Sequence, residues 1–399
     1  MQVLVLNSGS SSIKYQLFGS DLQVLATGLV ERIGEEAGHA VHRITGADEP
    51  TVEDAVVPDH ASGFATIVRA LEQAGLGDEL GAIGHRVVHG GAEFTAPTVI
   101  DEQVLERIRA QVPLAPLHNP ANLTGIEVAT ELRPELPQVA VFDTAFHAGL
   151  PAPAYRYAIG DDVHRDHGVR RYGFHGTSHA FVAKRAAEHL DRPLEELALI
   201  TLHLGNGASV TAIDGGRSVE TSMGLSPLEG LVMGTRSGDL DPAVIFHLIR
   251  QAGMSPDEVE TLLNRRSGLI GLCGDNDLRT IESRAAGGDQ DAQLALDVYV
   301  HRIRKYLGAY AAVLGRLDAV VFTAGVGENA DGVRRRVCQD LELLGIRVDD
   351  ARNDGVRASA VDGGVAAVQA ADSRVAVLVV ATDEEREIAE QTLVAVGER

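Results

Sequence analysis

Residues 3–18 have the sequence VLVLNSGSSSIKYQLF, and residues 198–216 have the sequence ALITLHLGNGASVTAIDGG. Each stretch begins with an apolar run that predicts a buried strand, passes through a polar turn that contains glycine, and ends in alternating apolar residues that predict a second strand. The same plan therefore occurs twice and indicates an internal duplication, although two unrelated hairpins would give the same pattern.

Strand and helix patterns alternate along the rest of the chain, which predicts an α/β fold class. We predict helices at 60–74, 101–110, 119–132, 177–190, 241–253, 255–265 and 290–316, and strands near 81–88, 138–143 and 375–380. Thr382 and Glu385 match a capping box at the start of a last helix. The length of 399 residues predicts two domains, and only the composition of HAGLPA at 147–152 indicates a boundary.

Composition narrows the class of protein. Hydrophobic residues make up 45% and charged residues 23%, the balance of an ordinary globular chain. Cys273 and Cys338 are the only cysteines, which excludes a disulfide framework and favours a reducing compartment. The N-terminal apolar run is too short for a signal peptide and no run reaches the roughly 18 residues of a membrane helix, so we expect a soluble cytoplasmic protein.

The net charge of −22 opposes broad attraction to nucleic acid or anionic lipid. An anionic substrate would therefore need locally concentrated positive charge. Arg86 lies in GHRVVHGG (84–91) and Arg236 in GTRSGDLDP (234–242), both glycine-rich segments. The planar guanidinium suits carboxylate and phosphate oxygens, which an acyl phosphate offers, although pairing with local acids such as Asp239 remains an alternative.

Two segments are candidates for binding phosphate groups. Residues 7–12, NSGSSS, with Lys14 just beyond, form a turn whose backbone N–H groups could cradle phosphates, although a serine-rich turn is also a common structural feature. Later, Gly325, Gly327 and Ala330 follow a predicted strand, with Asp349 about twenty residues on, in dinucleotide-type spacing. This spacing fits an NAD-linked oxidoreductase, a phosphate or adenosine loop of another enzyme, or a tight turn.

An acid and several histidines complete the candidate chemistry. Asp143 follows a buried strand, where it could order groups at a catalytic site or cap a helix. His175, in RYGFHGTSH, could donate to a phosphoryl oxygen in transfer. His179 lies one turn further, so a zinc pair is conceivable, but no nearby carboxylate completes a zinc motif. His118, in PLHNP, fits packing as well as function.

Together these segments closely resemble the acetate kinases, over residues 7–384. The resemblance is carried by LNSGSSSIK, GHRVVHGG, PLHNP, FDTAFH, YGFHGTSH, LHLGNGAS, SMGLSPLEGLVMGTRSGDLDP, DLR at 277–279, FTAGVGEN and ATDEE. It implies two duplicated actin-like (ribonuclease H-like) domains with a central cleft that clamps ATP. The N-terminal domain would comprise residues 1–147 completed by 381–399, and the nucleotide-binding domain residues 148–380.

The resemblance also implies an activity, which is reversible Mg²⁺-dependent phosphoryl transfer from ATP to acetate by direct in-line attack, with Mn²⁺ as a possible substitute. Arg86 would bind the carboxylate or acyl phosphate, Asp143 would be the essential catalytic acid residue, and His175 with Arg236 would stabilise the transition state. Other implied positions are a methyl pocket of Val88, Leu117, Phe174 and Pro227; phosphate contacts from Lys14, His203, Leu204, Gly205, Asn206 and Gly207; nucleotide loops of Asp277, Leu278, Arg279, Gly325, Val326, Gly327, Glu328 and Asn329; and metal ligands Asn7 and Glu384.

One departure and several alternatives remain. Asp383 stands where the family pattern has Asn before Glu384, and its extra charge bears on metal geometry and affinity. A propionate or butyrate kinase of the same fold is an alternative, because one methylene changes discrimination by only about 1–3 kcal/mol. A non-catalytic actin- or chaperone-like ATP-binding scaffold is another, against which the set of Arg86, Asp143, His175 and Arg236 argues. GTP or pyrophosphate as donor also stays open, and the family implies a homodimer.

Overall fold

Two β-sheets, formed by different parts of the chain, organise the computed structural model, which describes residues 1–77 and 79–397. The strands are β1 (Gln2–Ser8), β2 (Ser12–Phe18), β3 (Val24–Glu31), β4 (Gly38–Ile44), β5 (Thr51–Ala55), β6 (Leu80–Val87), β7 (Thr98–Val99), β8 (Gln138–Phe142), β9 (Ala198–Leu204), β10 (Ala208–Asp214), β11 (Arg217–Thr221), β12 (Ala319–Thr323), β13 (Val365–Ala367) and β14 (Ala376–Val380). The helices are α1 (His60–Gln73), α2 (Glu102–Ala110), α3 (Asn119–Leu132), α4 (Ala152–Tyr155), α5 (Asp161–His167), α6 (Gly176–His189), α7 (Ala243–Gln251), α8 (Pro256–Arg265), α9 (Gly268–Cys273), α10 (Leu278–Ala286), α11 (Gln290–Leu314), α12 (Ala324–Asn329), α13 (Asp331–Cys338), α14 (Asp350–Asn353) and α15 (Glu384–Gly397).

The chain divides into two units that are each internally compact. Unit 1 comprises Met1–Ala148 and Asp383–Arg399, and unit 2 comprises Gly149–Thr382. Each unit contains one of the sheets with helices packed on it, so the predicted α/β class is confirmed.

The sheet of unit 1 has the order β5-β4-β3-β2-β1-β6-β8-β7. Successive residues of β1 point to opposite faces, as the strand geometry requires. Leu4 therefore packs with Phe64 of α1, whereas Val5 packs with Ile388 of α15. A Cβ at Gly84 of β6 would lie 2.4 Å from Thr392 Oγ1, so α15 can pack this closely only because that residue has no side chain.

The sheet of unit 2 has the order β11-β10-β9-β12-β14-β13 and repeats the central plan of the first. In unit 1, β1 is antiparallel to β2 and parallel to β6, while in unit 2, β9 is antiparallel to β10 and parallel to β12. The five-strand orders β3-β2-β1-β6-β8 and β11-β10-β9-β12-β14 correspond strand for strand. The predicted duplication is thereby confirmed, and the two unrelated hairpins are excluded.

The start of α15 differs from the sequence prediction. Asp383, not Thr382, caps the helix, because its Oδ1 accepts a hydrogen bond from Arg386 N at 3.0 Å. Glu385 instead binds Lys14 Nζ at 2.5 Å. The predicted Thr382 cap was wrong by one residue, since aspartate is at least as good a cap as threonine. Asp383 thus has a structural role that either Asp or Asn could fill.

Two further properties concern the whole of the described chain. Within residues 1–77 and 79–397, no helix combines the length and apolar character needed to cross a membrane. Both cysteines, Cys273 and Cys338, are buried free thiols.

Candidate active site

In unit 1, Arg86 and Asp143 form a bidentate ion pair. Arg86 Nε lies 2.9 Å from Asp143 Oδ1, and Nη2 lies 2.7 Å from Oδ2. Arg86 is near the end of β6 and Asp143 follows β8, and these neighbouring parallel strands bring both residues to the same sheet edge. The Asp143 carboxylate therefore binds Arg86, and the helix-cap alternative is excluded for this residue.

Burial and charge both act on this pair. The Asp143 side chain is 2% exposed and that of Arg86 22%. Burial opposes the charge of Arg86, but the Asp143 and Glu384 carboxylates outweigh it and raise the pKa of Arg86. Burial also raises the pKa of Asp143, against the opposing effect of Arg86. The Nε and Nη2 atoms of Arg86 thus both donate to Asp143. An anionic ligand would bind Nη1 or compete with Asp143 for the other two nitrogens.

The predicted metal ligands lie at the same edge of unit 1. Asn7 is near the end of β1, which is paired in parallel with β6 so that Leu6 faces His85 and Asn7 comes beside Arg86. Glu384, the first residue of α15, lies 3.9 Å from Arg86 Nε. The ends of β1, β6 and β8 and the start of α15 therefore bring Asn7 to the same edge as Arg86 and place two carboxylates beside that arginine.

The residues present fit a magnesium ion with few protein ligands. Among the described residues, no group of three or more His, Cys, Asp or Glu side chains has the arrangement of a metal site. Asn7, Glu384 and Asp143 nevertheless supply only oxygen ligands, which Mg²⁺ prefers, and Mg²⁺ is commonly bound through one or two carboxylates with substrate phosphates and water.

The four residues predicted to surround the substrate methyl group divide between the two units. In unit 1, Val88 is half-buried and its N–H donates to Asn122 Oδ1 at 3.1 Å, whereas Leu117 is 53% exposed. In unit 2, Phe174 is buried, and the carbonyl of Pro227 accepts a hydrogen bond from Arg236.

In unit 2, a turn of three residues between β9 and β10 is approached by two potentially cationic side chains. A Cβ at Gly207 would lie 3.4 Å from His175 Nε2 and 3.6 Å from Arg236 Nη1, so both groups lie beside this glycine. Gly234 N donates to Asn206 O at 3.0 Å, and a Cβ at Gly234 would lie 2.0 Å from Asn206 Oδ1. A side chain at 234 would therefore displace the Asn206 side chain where the arginine-bearing loop packs against the turn.

Arg236 is half-buried and lacks a carboxylate partner in the part of the chain that the structure describes. Its Nη1 donates to Pro227 O at 3.1 Å, and burial lowers its pKa. Asp239, the acid considered as an alternative partner, accepts instead from Gly230 N at 2.8 Å and from Tyr306 OH at 2.9 Å. A partly desolvated guanidinium of this kind is suited to an anionic ligand.

His175 occupies a strained position immediately before α6. Its φ of 57° and ψ of 28° are left-handed, a conformation that costs a residue with a side chain on the order of 1–3 kcal/mol. Its ring stacks on His203 with centroids 4.1 Å apart. His179 binds Thr201 Oγ1 through Nδ1 and Ser209 Oγ through Nε2, so both its nitrogens are engaged and the zinc-pair alternative is excluded.

Unit 2 also contains a cavity of about 550 Å³, large enough for a nucleotide. It is lined by Gly205, Asn206, Gly234, Leu269, Asn276, Asp277, Leu278, Arg279, Glu282, Gly325, Val326, Asn329, Ala330 and Arg357. Eight of the predicted nucleotide-binding residues are in this lining. Sequence reasoning missed Asn276, Glu282 and Arg357; the first two adjoin the recognised DLR segment, whereas Arg357 has no motif around it.

The other predicted nucleotide-binding residues lie outside this lining. Leu204 belongs to the buried core, and a Cβ at Gly327 would lie 3.3 Å from the backbone of Phe322. Glu328 Oε1 accepts hydrogen bonds from Ala324 N at 3.1 Å and Thr382 N at 3.0 Å, which tie the start of α12 to the end of β14. Lys14 lies in unit 1, where it pairs with Glu385, and His203 and Gly207 lie beside His175.

Two arginines that the sequence did not single out hold the functional loops. Arg334 is fully buried and its Nη1 donates to the carbonyls of Gly327 and Glu328 at 2.9 and 3.0 Å, while burial lowers its pKa to about 10. Arg171 Nη1 donates to three consecutive carbonyls, those of residues 221–223, at 3.0, 3.1 and 3.1 Å. The motif VRRRV gives no sign of which arginine turns inward.

Solved structures with the same fold define the class of protein. A crystal structure of Porphyromonas gingivalis acetate kinase matches with a TM-score of 0.93 and 43% identity over 99% of both chains. A propionate kinase from Francisella tularensis matches with a TM-score of 0.92 and 40% identity over 98% of this chain and 99% of the other. The protein is accordingly a kinase, a phosphotransferase built from two duplicated actin-like domains.

The particular family follows from whole-chain sequence comparison. The acetokinase family model matches residues 2–390. An acetate kinase from Streptomyces griseus is 58% identical over 100% of this chain and 97% of its own length, and one from Streptomyces avermitilis is 60% identical over 99% and 98%. The chain belongs to the acetokinase family. The oxidoreductase alternative is therefore wrong, and Asp349, the acidic residue of the dinucleotide-type spacing, caps α14 by accepting hydrogen bonds from Ala351 N and Arg352 N.

Proposed function

We propose that the protein transfers the γ-phosphoryl group of ATP to acetate, reversibly, giving acetyl phosphate and ADP. The observation that carries the proposal is Arg236, a half-buried guanidinium beside the Gly205–Gly207 turn with no carboxylate partner among the described residues. A kinase that transfers to a carboxylate needs positive charge where the phosphoryl group passes, and this residue supplies it without first breaking an ion pair.

The proposed roles of the side chains follow from their surroundings. Phosphoryl transfer needs little covalent assistance, so positioning and charge stabilisation do most of the catalysis. Arg236 and His175 stabilise charge on the transferring group, and Arg86 binds the acetate carboxylate or the acyl phosphate. Acetate is already ionised at neutral pH and needs no strong base. Asp143 therefore serves by holding Arg86 and by orienting groups at the strand ends.

The proposed metal ion is Mg²⁺, with Mn²⁺ as a possible substitute, held by Asn7 and Glu384. When bound, the ion neutralises phosphate charge and helps fix the donor. The all-oxygen set at the ends of β1 and β8 and the start of α15 supports this choice of metal.

The proposed nucleotide site is the 550 Å³ cavity of unit 2. Gly205 and Asn206 contact phosphates, and the segments at 277–279 and 325–329 enclose the nucleoside. Arg334, which binds the carbonyls of Gly327 and Glu328, holds the second segment in place.

We further propose a homodimer in which α7 contributes to the interface. This helix has the sequence AVIFHLIRQ, yet none of its residues is buried, and Phe246 is 53% and Val244 41% exposed. Continuous apolar surface of this kind is typical of protein interfaces. A cytoplasmic location completes the proposal, supported by the two free thiols.

Hydroxylamine trapping of acyl phosphate tests the central proposal. Purified protein would be incubated with Mg²⁺ and ATP, and with acetate, propionate or butyrate in parallel. A strong signal led by acetate that is lost in Arg236→Ala supports the reaction and the role of the arginine. A signal led by propionate or butyrate would change the substrate, and GTP or pyrophosphate in place of ATP tests the donor. No signal with any acid would overturn the proposal.

A further inference from the structure

Arg236 lies in a loop whose two ends are hydrogen-bonded to each other. Gly230 N donates to Asp239 Oδ1 at 2.8 Å, and Asp239 N donates to Gly230 O at 3.0 Å. Residues 230–239 have the sequence GLVMGTRSGD, and we call this segment the arginine loop. Because the loop is closed at Gly230 and Asp239, the position of these two residues determines where its base lies.

The interior of the arginine loop has little conformational freedom. Gly230 has a φ of 109° and Gly238 a φ of 67°, values that favour glycine. A Cβ at Gly238 would lie 2.3 Å from Leu231 O, so the two limbs of the loop approach each other backbone to backbone. Met233 N donates to Arg236 O at 3.1 Å and forms a turn at the tip. A shift at the base should therefore move Arg236 instead of being absorbed within the loop.

Two side chains of α11 bind the base of the arginine loop. Arg302 Nη1 donates to Gly230 O at 3.0 Å and its Nη2 donates to Asp239 O at 3.2 Å, so one guanidinium spans both ends of the loop. Arg302 Nη1 also lies 3.4 Å from Asp239 Oδ2, and Tyr306 OH donates to that oxygen at 2.9 Å. Arg302 and Tyr306 are four residues apart and therefore share one face of the helix.

Charge and burial both strengthen these contacts at the base. Burial and the neighbouring Asp239 carboxylate raise the pKa of Tyr306 above its usual range, so its hydroxyl keeps the proton that it donates. The Arg302 and Asp239 side chains are 19% and 39% exposed. Hydrogen bonds that involve an ionised donor or acceptor are roughly twice as strong as those between neutral groups. The base of the arginine loop is therefore held on α11 by charge-assisted hydrogen bonds.

Helix α11 also contacts the strands on either side of the Gly205–Gly207 turn. It packs on both β9 and β10, which that turn connects. The Arg236 guanidinium lies beside the turn, since a Cβ at Gly207 would be 3.6 Å from Arg236 Nη1. One helix therefore holds both the base of the arginine loop and the strands that carry the turn.

A second set of contacts holds the tip of the arginine loop. Leu269 N donates to Met233 O at 2.9 Å and Ile270 N donates to Gly234 O at 3.0 Å, and both donors belong to α9. These are backbone hydrogen bonds that no side-chain substitution on α11 removes. Loss of the α11 contacts should therefore shift the loop without releasing it.

We propose that Arg302 and Tyr306 are positioning residues, which act through the base of the arginine loop to set the place of the Arg236 guanidinium beside the Gly205–Gly207 turn. Because Arg236 has no carboxylate partner among the described residues, its place depends on the backbone that carries it. The inference rests on the proposed function, since it concerns the arginine that stabilises the transferring phosphoryl group in that reaction.

Hydrogen–deuterium exchange of the full-length protein, measured by mass spectrometry, tests these contacts without reference to activity. The backbone N–H groups of Gly230 and Asp239 both donate within the closure, so peptides that cover the arginine loop report on it. Arg302→Gln should speed exchange in this segment by about tenfold, and Tyr306→Phe should speed it by a smaller factor. Unchanged exchange in Arg302→Gln would overturn the proposal.

Two other residues of α11 provide matched controls. Arg304 also donates to two backbone carbonyls, but to those of Arg336 and Gln339, away from the arginine loop. Tyr299 is buried, and its hydroxyl has no hydrogen-bond partner in the part of the chain that the structure describes. Arg304→Gln and Tyr299→Phe should keep wild-type exchange in the arginine loop and wild-type kcat. Equal changes in the controls and in the test variants would refute a specific role for the contacts at the base.

Kinetics of acyl phosphate formation test whether the contacts act on turnover. Arg302→Gln should lower kcat by about tenfold, with KM for ATP and for acetate changed by less than about twofold. Tyr306→Phe should lower kcat by about threefold, because the loop keeps its contacts with Arg302. Arg302→Lys keeps the positive charge but not the planar fork, so it should recover part of the rate. A rise in KM with kcat unchanged would contradict the positioning role.

A double-mutant cycle tests whether the effect passes through Arg236. Adding Arg302→Gln to Arg236→Ala should lower kcat by less than about twofold further, because the side chain that Arg302 positions is already absent. A further loss of about tenfold would overturn the proposal. If wild type makes no acyl phosphate, the proposed function fails, while the exchange measurement still decides whether α11 holds the arginine loop. If Arg302→Gln does not fold, Tyr306→Phe carries both tests.

Discussion

The guanidinium of Arg86 and the carboxylate of Asp143 meet edge to edge, with their two hydrogen bonds at 2.9 and 2.7 Å. Arg86 therefore faces a counterion inside its own unit, whereas Arg236 has none among the described residues. The two arginines, each expected to contact an anionic ligand, thus differ electrostatically before any ligand binds. Their substitutions should have different kinetic consequences.

Arg86→Ala should raise the KM for acetate and also lower turnover, because it removes the anion contact and leaves Asp143 buried without its partner. Asp143→Ala should lower kcat/KM by on the order of a hundredfold, and the double variant should be little worse than either single one, because the pair acts as a unit. Steady-state kinetics with varied acetate measure this. Arg69→Ala, which breaks an exposed ion pair with Glu53 at 3.2 Å, is the control and should resemble wild type. Additive losses of kcat/KM in the double variant would show that Arg86 and Asp143 act independently.

Arg236→Ala should chiefly lower turnover, by about a hundredfold or more, with smaller effects on both KM values. Free guanidinium added to this variant should recover part of the rate, because the gap lies beside Gly207 and borders the site proposed for the anion. Arg335→Ala, which loses an exposed contact with Asp350 at 2.7 Å, is the control. Equal small effects from Arg86→Ala and Arg236→Ala would argue against the division of roles.

Gly234→Ala should weaken nucleotide binding by about tenfold, because the new Cβ would lie 2.0 Å from Asn206 Oδ1 and displace that side chain, which lines the cavity. Isothermal titration with ATP gives the dissociation constant. Gly308→Ala is the matched control, since it lies within α11 with no atom within 4 Å of the added methyl. The control should bind ATP normally and gain about 0.5–1 kcal/mol of stability.

The stability of unit 1 should fall as pH decreases because of His85. Burial lowers the pKa of His85 to about 4, below the value of about 6.5 in an unfolded chain. The unfolded state therefore binds a proton below about pH 6.5 that the folded state refuses until about pH 4, and stability present above pH 6.5 is lost through this window.

His85→Gln removes this titration while keeping a partner for Gln138, whose Oε1 accepts a hydrogen bond from His85 Nε2 at 2.7 Å in wild type. Denaturant unfolding at pH 7 and pH 5 should show a smaller loss in the variant, by up to about 1.4 kcal/mol per pH unit. Identical losses in the two proteins would contradict a neutral buried His85.

Phe246→Asp should convert the proposed homodimer into a monomer, because it places a charge in the apolar face of α7. Analytical ultracentrifugation over a concentration series measures the mass. Leu343→Asp, at a position that is 92% exposed elsewhere in unit 2, is the matched control and should leave the mass unchanged. A monomeric mass for the wild-type protein at all concentrations would contradict the proposed homodimer.

The sequence predicted those features that depend on local pattern. Helices α1, α3 and α11 begin and end within two residues of their predicted bounds, because apolar periodicity specifies which face packs on a sheet. The strand, turn, strand repeat predicted the duplication for the same reason. Strands β3, β4 and β5 were not predicted: they extend the first sheet outwards, and β5 has no buried residue to create a pattern.

Features that depend on contacts between distant residues could not be predicted. Arg334 is one of three consecutive arginines, and only its burial against Asn353, nineteen positions on, distinguishes it. Ser209 ends the LHLGNGAS segment, yet only the pairing of β10 with β9 and the packing of α6 bring it to His175. The surroundings of Arg86 and Arg236 likewise became evident only in three dimensions.

The packing of α15 on β1 has a consequence for how the protein is made. Val5 and Ile388 share one buried cluster, yet the ribosome synthesises about 380 residues between them, which takes roughly 20 to 80 s at about 5–20 residues per second. Throughout that interval one face of the first strand has no native cover. A nascent chain will therefore expose apolar surface to chaperones at its beginning until its last helix emerges.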